Sequence, residues 1–497
     1  MKRKIYETIK KWKRESAGKT ALLIEGARRV GKSYTVEEFA KAEYKSYLLI
    51  DFNIANVDVK NLFKDHLDDL NTLFVYLSGY YNVRLYERES LVIFDEVQMF
   101  PQARAAIKYL VADGRYDYIE TGSLVSIKKN VKDIMIPSEE RHIKMHPMDF
   151  EEFLWAIGND TIFSFIHDRF IDLKPLGQAM HRRVMALFRQ YMIVGGMPQA
   201  ISEFIASNDF VRTDQIKRDI LNLYRADIAK HANGYELKVT GIFDEIPAQL
   251  QKHEKKIKLS SINKEARFRD YEDALFWLVD AMIVNACYNV SEPSVGLKLN
   301  MDRLTMKCYM ADTGLLISHA FDEKGIVSNE IYKKLLFDKL DVNSGMIFEN
   351  IVAQMLVGSG QNLYFYSNTT RSDCNSRMEI DFLIQAGIIG NRHNISPIEV
   401  KSGKNYTLSS INKFRKKFSQ YLNSLYVIHT KDLAIGSGEA DGGGGSFGDG
   451  GEADGGEADG GGADGGGGSF GDGGADGGGG SSNKNIVYLP VYMTSFL

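Results

Sequence analysis

The feature that most constrains this chain is a glycine-containing loop between an apolar run and a helical pattern. It follows TALLIE at 20–25, precedes YTVEEFAKA, and reads Gly26-Ala27-Arg28-Arg29-Val30-Gly31-Lys32-Ser33. A strand, such a loop and a helix in this order predict a parallel α/β sheet, because the glycines let the backbone turn tightly between a buried strand and the helix that covers it.

Four further apolar runs extend this pattern through the first 150 residues. They lie at 46–52, 90–96, 116–123 and 141–147, and helix-length segments separate most of them. Runs that are apolar throughout are typical of strands buried on both faces of a parallel sheet. We therefore predict an α/β domain of the P-loop type at 1–150.

The loop matches GxxxxGK[ST], the pattern of a phosphate-binding loop. Its backbone N–H groups are expected to wrap the phosphates of ATP, while Lys32 reaches the β/γ oxygens and Ser33 ligates Mg²⁺. The predicted nucleotide-binding residues are Gly26, Ala27, Arg28, Arg29, Val30, Gly31, Lys32, Ser33 and Tyr34.

An acidic pair, Asp95-Glu96, follows the third apolar run, where a buried strand leaves the sheet at its carboxyl end. Ligands bind at that edge of open α/β sheets. Asp95 is expected to hold Mg²⁺ through water, and Glu96 to orient or deprotonate the attacking water. Without the loop, such a pair would indicate only a solvated strand end.

Two weaker candidates lie on the next two strands. Thr121, Gly122 and Ser123 end the fourth run; the hydroxyls either reach the γ-phosphate or cap a turn. Arg141 opens the fifth run and either stabilises transition-state charge, in cis or from a neighbouring subunit, or is a surface arginine.

The remaining chain divides into four predicted segments. A helical connector is predicted at 151–235, and three helices with a hairpin, the pattern of a winged helix-turn-helix, at 236–330. A second α/β domain is predicted at 331–435 plus 483–497. The segment 436–482 holds 25 of the 46 glycines and repeats GGGGS three times. We expect it to be disordered, and its likeness to a designed linker makes an artificial insertion an alternative to a natural one.

Charge and cysteine content narrow the class of protein. The 497 residues carry a net charge of −4, but outside 436–482 there are 61 basic and 55 acidic residues, so the remainder is mildly basic. The three cysteines, Cys287, Cys308 and Cys374, show neither a zinc nor a disulfide spacing. With no signal peptide and no long apolar stretch, a cytoplasmic protein is expected, without a membrane partner.

A set of motifs, in order, resembles a known family: the AAA+ P-loop ATPases fused to the domain of unknown function 4143. The motifs are GARRVGKS, FDEVQMFP, TGS, MHPMDFEEFL, YMIVGGMP, YRADI, CYMADTGLL, FENIVAQML, EIDFLI and IEVKSGK. Members usually carry a Gly-Arg pair where this chain has Glu140-Arg141, which weakens any role for Arg141 taken from the resemblance.

The C-terminal part of that family resembles the PD-(D/E)XK nuclease fold. The resemblance implies Asp381 and Glu399 as Mg²⁺ ligands, Glu349 as a third, and Lys401 beside a hydrolytic water. The alternative is a degenerate nuclease fold kept for docking. Basic residues at 253–258 and 413–417, with Lys264, Arg267 and Arg269, are candidate DNA contacts or plain solvated surface.

These observations predict an ATP- and Mg²⁺-dependent ATPase switch coupled to a DNA-associated, nuclease-like domain. One alternative is a signalling ATPase whose C-terminal domain only binds a protein partner, and a second is a DNA endonuclease gated by ATP. The subunit number stays open.

Overall fold

The computed structural model describes residues 1–123, 137–232, 234–252, 255–257, 267–294, 296–321, 332, 344–368, 377–385, 394–403, 406–436 and 485–497. Within these ranges the helices are α1 Ile5–Ser16, α2 Lys32–Glu43, α3 Val57–Asp65, α4 Leu70–Tyr81, α5 Pro101–Asp113, α6 Phe150–Ala156, α7 Ile162–Ile171, α8 Gln178–Val194, α9 Pro198–Ser207, α10 Phe210–His231, α11 Glu236–Gln251, α12 Phe268–Asp280, α13 Thr313–Ala320, α14 Ser344–Gly358 and α15 Ser409–Phe418.

The strands form two sheets. Those of the first are β1 Ala21–Gly26, β2 Ser46–Asp51, β3 Ser90–Asp95, β4 Asp117–Gly122 and β5 Glu140–Met145; those of the second are β6 Val284–Val290, β7 Met301–Met310, β8 Tyr364–Asn368, β9 Met378–Gln385, β10 Ile395–Val400, β11 Leu425–His429, β12 Ala434–Gly436 and β13 Ile486–Pro490.

The first sheet is parallel, in the order β2-β3-β4-β1-β5. Helices cover both faces: α1 and α2 pack on one, and α3, α4 and α5 on the other. The strands β1 and β3 are buried throughout, as expected for a sheet covered on both sides. The predicted parallel α/β sheet is therefore confirmed, with all five strands in the predicted runs.

The predicted helical connector forms α6 to α10. Local residues set where these helices begin: Asp149 and Glu152 form a reciprocal capping box at α6, and Pro198 is at the first turn of α9. The motifs MHPMDFEEFL and YMIVGGMP therefore contain helix starts.

The predicted hairpin of the winged helix is present as β6 and β7, but it does not stand apart as a wing. It lies at one edge of an eight-stranded mixed sheet, in the order β12-β13-β11-β10-β9-β8-β6-β7, because β6 pairs with β8. The second helix predicted for this unit, with Lys264, is outside the described residues. The winged helix is thus not confirmed.

The C-terminal strands form largely as predicted, with one correction. The run NIVYLPVYM is a strand only to Pro490; residues Val491–Phe496 form a 3-10 helix instead. The basic tract at 413–417 lies on α15, whose buried face, Ile411, Phe414 and Phe418, packs on the eight-stranded sheet.

The glycine-rich segment leaves and re-enters the fold at neighbouring positions. Gly436, predicted to begin the disordered insertion, instead ends β12 and pairs with Ile486 of β13. The rest of that prediction lies outside the described residues.

We expect residues 437–484 to be dispensable. A single glycine in their place would leave Gly-Asn485 between the paired Gly436 and Ile486, a sequence suited to a two-residue type II′ turn. The free energy of unfolding should stay unchanged or rise by at most about 3 kcal/mol, because each doubling of loop length costs about 0.6 kcal/mol. Denaturant unfolding of both proteins tests this, and a clear loss of stability would show that the segment packs against the fold.

Candidate functional site

The P-loop connects the end of β1 to the start of α2, and two glycines make its shape feasible. A Cβ atom on Gly26 would lie 2.5 Å from the carbonyl oxygen of Met145 on β5. Gly31 precedes α2 with φ +98°, and Arg29 has φ +69°. Left-handed residues within such a loop turn backbone N–H groups toward one point, which suits an anion.

Lys32 lies inside the curve of this loop. Its Nζ donates hydrogen bonds to the carbonyl oxygens of Gly26, at 2.9 Å, and Ala27, at 3.1 Å. Burial lowers the pKa of Lys32, and the charge of Arg28 lowers it further, while Glu96 and Asp95 oppose both effects. The ammonium group therefore sits where a polyphosphate would be a better partner than backbone carbonyls.

The predicted Mg²⁺ ligands lie next to this lysine. Ser33 Oγ donates to Asp95 Oδ1 at 2.8 Å, and Thr121 Oγ1 donates to the same carboxylate oxygen. A hydroxyl and a carboxylate beside a phosphate site are the oxygen donors that Mg²⁺ takes from proteins, so these residues fit the metal. Thr121 thus positions Asp95.

Glu96 follows Asp95 in a left-handed conformation, with φ +51°. Its backbone N–H donates to Thr121 Oγ1 at 3.4 Å, and Gln98 Nε2 donates to its carboxylate. A left-handed glutamate is strained, and such strain clusters at functional sites. The turn directs Glu96 away from the strand and into a cleft.

The cleft has a volume of about 350 Å³ and lies between the P-loop edge of the first sheet and helices α10 and α12. The lining residues include, on the sheet side, Arg28, Lys32, Glu96 and Ser123, and, on the helix side, Tyr224, Asp227, Lys230 and Trp277. Of the two hydroxyls left open at the end of β4, Ser123 therefore faces the cleft and Thr121 is buried against Asp95. Tyr34, in the first turn of α2, is 56 % exposed.

The structure does not bring Arg141 to the cleft. In the parallel pairing of β1 with β5, Arg141 lies opposite Leu22, near the amino end of β1, whereas the P-loop follows Gly26. Its side chain binds Glu15 at 3.0 Å. The direction of the parallel strands therefore places Arg141 away from the edge of the sheet that carries the P-loop. The neighbouring Glu140 is buried in an ion pair with Arg104.

The C-terminal candidates Asp381 and Glu399 lie on adjacent antiparallel strands. Because Phe382 pairs with Ile398, Asp381 and Glu399 follow as the next opposed pair, and Asp381 Oδ2 accepts a hydrogen bond from Val400 N at 2.8 Å. Lys401 Nζ lies 2.8 Å from Glu399 Oε2. Burial and the charge of Asp381 raise the pKa of Glu399, and Lys401 opposes both.

The third candidate ligand, Glu349 of α14, has protein partners for both of its carboxylate oxygens. Lys255 Nζ binds one carboxylate oxygen, and Tyr309 OH donates to the other at 3.1 Å. A buried lysine, Lys307, lies 2.8 Å from Glu379 and within reach of the Glu349 charge. Lys255 belongs to the basic tract predicted at 253–258, so that part of the tract faces a carboxylate.

These ion pairs change the interpretation of the C-terminal cluster, defined as Glu349, Glu379, Asp381, Glu399, Lys255, Lys307 and Lys401. In the described part of the chain, which includes all three predicted ligands, no group of three His, Cys, Asp or Glu side chains is placed to hold a metal ion. The structure therefore does not bring Glu349, Asp381 and Glu399 around one metal position. Lys255 pairs with Glu349, Lys401 pairs with Glu399, and Asp381 accepts a backbone hydrogen bond.

Several site residues were not predicted from the sequence. Tyr224 and Asp227 of α10 contact the P-loop, and Arg3 donates to the carbonyl oxygen of Val30 at 2.8 Å. Tyr224 and Asp227 belong to the motif YRADI, and that motif was the feature of the sequence that could have identified them as site residues. No sequence feature could have identified Lys307, since an isolated lysine in a strand does not indicate an ion pair.

Models of three protein families match parts of this chain. Residues 18–154 match an AAA domain, residues 185–324 a domain of unknown function (DUF8612), and residues 344–441 the domain of unknown function DUF4143. No curated protein matches the sequence. No helix in the described ranges has both the length and the apolarity needed to cross a membrane.

Among solved structures, similarity is weak. PCH-2 of C. elegans matches at 12 % identity with a TM-score of 0.24, over 40 % of this chain and 59 % of that protein. Cdc6p of Pyrobaculum aerophilum matches at 10 % identity and 0.22, over 67 % and 93 %. The Hsp104–ADP complex of S. cerevisiae matches at 12 % identity and 0.25, over 70 % and 43 %. This chain therefore covers less than two thirds of the length of PCH-2.

Proposed function

The chain is an AAA domain joined to the domain of unknown function 4143, and from that premise we propose that it is a Mg²⁺-dependent ATPase acting as a nucleotide-driven switch. One observation carries the proposal: Lys32 and Glu96 line one cleft beside the P-loop, and Ser33 and Asp95, their neighbours in the sequence, are hydrogen-bonded to each other. Each is a residue type that phosphoryl transfer to water requires.

The residues have separate roles. Lys32 exchanges its two carbonyl partners for β/γ oxygens, and the P-loop N–H groups hold the phosphates. Ser33 and Asp95 would hold Mg²⁺, which when bound neutralises phosphate charge. Glu96 orients the attacking water and accepts its proton, while Thr121 keeps Asp95 in place. Ser123 offers a hydroxyl on the same side of the cleft.

For the C-terminal domain, we propose a binding module that ATP regulates, with a protein or DNA partner. The supporting observation is the charge balance of the C-terminal cluster, whose four carboxylates face three lysines. The three lysines balance most of the carboxylate charge, so the cluster does not require a metal ion to be nearly neutral. On α12, the candidate DNA contact Arg269 lies 3.7 Å from the carboxylate of its neighbour Asp270, and this negative charge opposes phosphate binding by Arg269.

A DNA endonuclease is the second candidate, and the opposed pair Asp381 and Glu399 with Lys401 favours it. Phosphate release from ATP and nicking of supercoiled plasmid, measured together with Mg²⁺ or Mn²⁺, test both proposals. We expect phosphate release that requires the divalent cation, and no nicking. Nicking that Lys401→Ala abolishes would establish the nuclease, and no phosphate release under any condition would overturn the ATPase.

A further inference from the structure

The motifs YRADI, YMIVGGMP and CYMADTGLL take no part in the chemistry described above, yet the structure brings them together. The first lies on α10, the second joins α8 to α9, and the third runs from β7 into α13. Helix α10 contacts the P-loop near one end and the other two motifs near its middle.

At the P-loop, α10 holds Arg28 by two contacts. Asp227 Oδ1 forms an ion pair with Arg28 Nη1 at 2.5 Å, and the hydroxyl of Tyr224 donates to the carbonyl oxygen of Arg28 at 3.2 Å. Arg28, Tyr224 and Asp227 all line the cleft, and Tyr224 is otherwise almost wholly buried. Lys32 lines the same cleft, so Arg28 and the lysine predicted to bind the phosphates lie around one cavity.

Along the same helix, Lys217 enters a buried group that we call the Asp312 cluster, made up of Gly195, Gly196, Lys217, Asp312 and Gly314. Asp312 accepts from Gly196 N and Leu315 N, and Lys217 Nζ donates to the carbonyl oxygens of Ile193 and Gly314. A Cβ atom on Gly314 would lie 2.5 Å from Gly195 Cα, so the two turns touch through backbone.

The Asp312 cluster continues to the C-terminal domain. Thr313 donates twice to Gln354 on α14, at 2.8 Å each, and Asn350 of α14 donates to Thr313 Oγ1 at 2.9 Å. Asn350 follows Glu349 of the C-terminal cluster. On α10 itself, Asp227 at the P-loop and Lys217 in the Asp312 cluster are ten residues apart, which is about 15 Å at 1.5 Å per residue.

We propose that Arg28 changes partner from Asp227 to the phosphates of the bound nucleotide, and that α10 carries this change through the Asp312 cluster to α14. A triphosphate carries more negative charge than one carboxylate and attracts the guanidinium more strongly. The exchange breaks the ion pair between Asp227 and Arg28 and leaves the hydrogen bond from Tyr224 as the contact between α10 and this residue. This inference rests on the proposed nucleotide site. For Arg28, already a predicted nucleotide-binding residue, it specifies that the guanidinium binds phosphate and that Asp227 competes for it.

Equilibrium binding of ATP to the full chain tests the exchange. Asp227→Asn removes the competing charge and should tighten binding about two- to fivefold, the range that a partly exposed ion pair contributes. Arg28→Ala should weaken binding, and Asp227→Asn should have no further effect in that background. Asp219→Asn is the matched control, because Asp219 is an exposed acid on the same helix that contacts Gln215.

Hydrogen exchange with and without ATP tests the relay. We expect ATP to change amide exchange in α13 and α14 of the wild type, and to change it less in Asp227→Asn. Unchanged ATP affinity in Asp227→Asn, an effect that persists in Arg28→Ala, or exchange confined to the P-loop would each overturn the inference. Wild-type protein that binds no ATP would instead overturn the proposed function, and this inference with it.

Discussion

Lys32→Ala is expected to weaken ATP binding about 10- to 100-fold and to remove most turnover, because charge-assisted hydrogen bonds of this kind contribute about 1.5 to 3 kcal/mol. In the structure Lys32 is 6 % exposed, and its ammonium group donates hydrogen bonds to the carbonyl oxygens of Gly26 and Ala27. Burial already lowers the pKa of Lys32, so its removal relieves a cost of folding and the variant should remain folded.

Isothermal titration with ATP measures the affinity, and release of inorganic phosphate measures turnover. Lys41→Ala serves as the matched control, since Lys41 lies on the same helix but forms exposed ion pairs with Glu37 and Glu38. Equal ATP binding by the Lys32→Ala and control proteins would remove the P-loop assignment.

Glu96→Gln is expected to bind ATP nearly as tightly as the wild type but to hydrolyse it about 10² to 10⁴ times more slowly, the usual contribution of a general base. The amide keeps the size of the side chain and still accepts from Gln98, so the left-handed turn at position 96 should persist. What it loses is the capacity to take a proton from water.

Single-turnover hydrolysis, with binding measured separately, distinguishes this effect from a structural one. Glu89→Gln is the control, because Glu89 forms an exposed ion pair with Lys45 at the other end of β3. If Glu96→Gln lost affinity and turnover to the same degree, Glu96 would be a binding or structural residue rather than the base.

The nucleotide site could be predicted from the sequence because its parts are local. Gly26 to Ser33 is continuous, its flanking strand and helix are visible as an apolar run and a helical pattern, and the acidic pair ends an adjacent run. The structure brings Lys32, Ser33, Asp95 and Glu96 together as that pattern indicates. These residues meet because parallel strands end at one edge of the sheet.

The C-terminal site shows where such reasoning ends. Asp381 and Glu399 lie on adjacent strands, as the sequence indicated, and Lys401 directly follows the second strand. The charge balance around these carboxylates depends on Lys255 and Lys307, which belong to segments far away in the sequence. Lys255 and Glu349, for example, are 94 residues apart. A motif supplies the carboxylates but says nothing of which cations neutralise them.

The sequence by itself determined that this chain contains a parallel sheet with a phosphate-binding loop, because strand burial, the turn and the helix start are encoded within a few residues of one another. Only the tertiary structure decided that the hairpin of β6 and β7 joins the C-terminal sheet and that Asp227 holds Arg28. Arg28 and Asp227 are 199 residues apart. Contacts between such distant residues follow from how helices and sheets pack, which no local pattern of residues records.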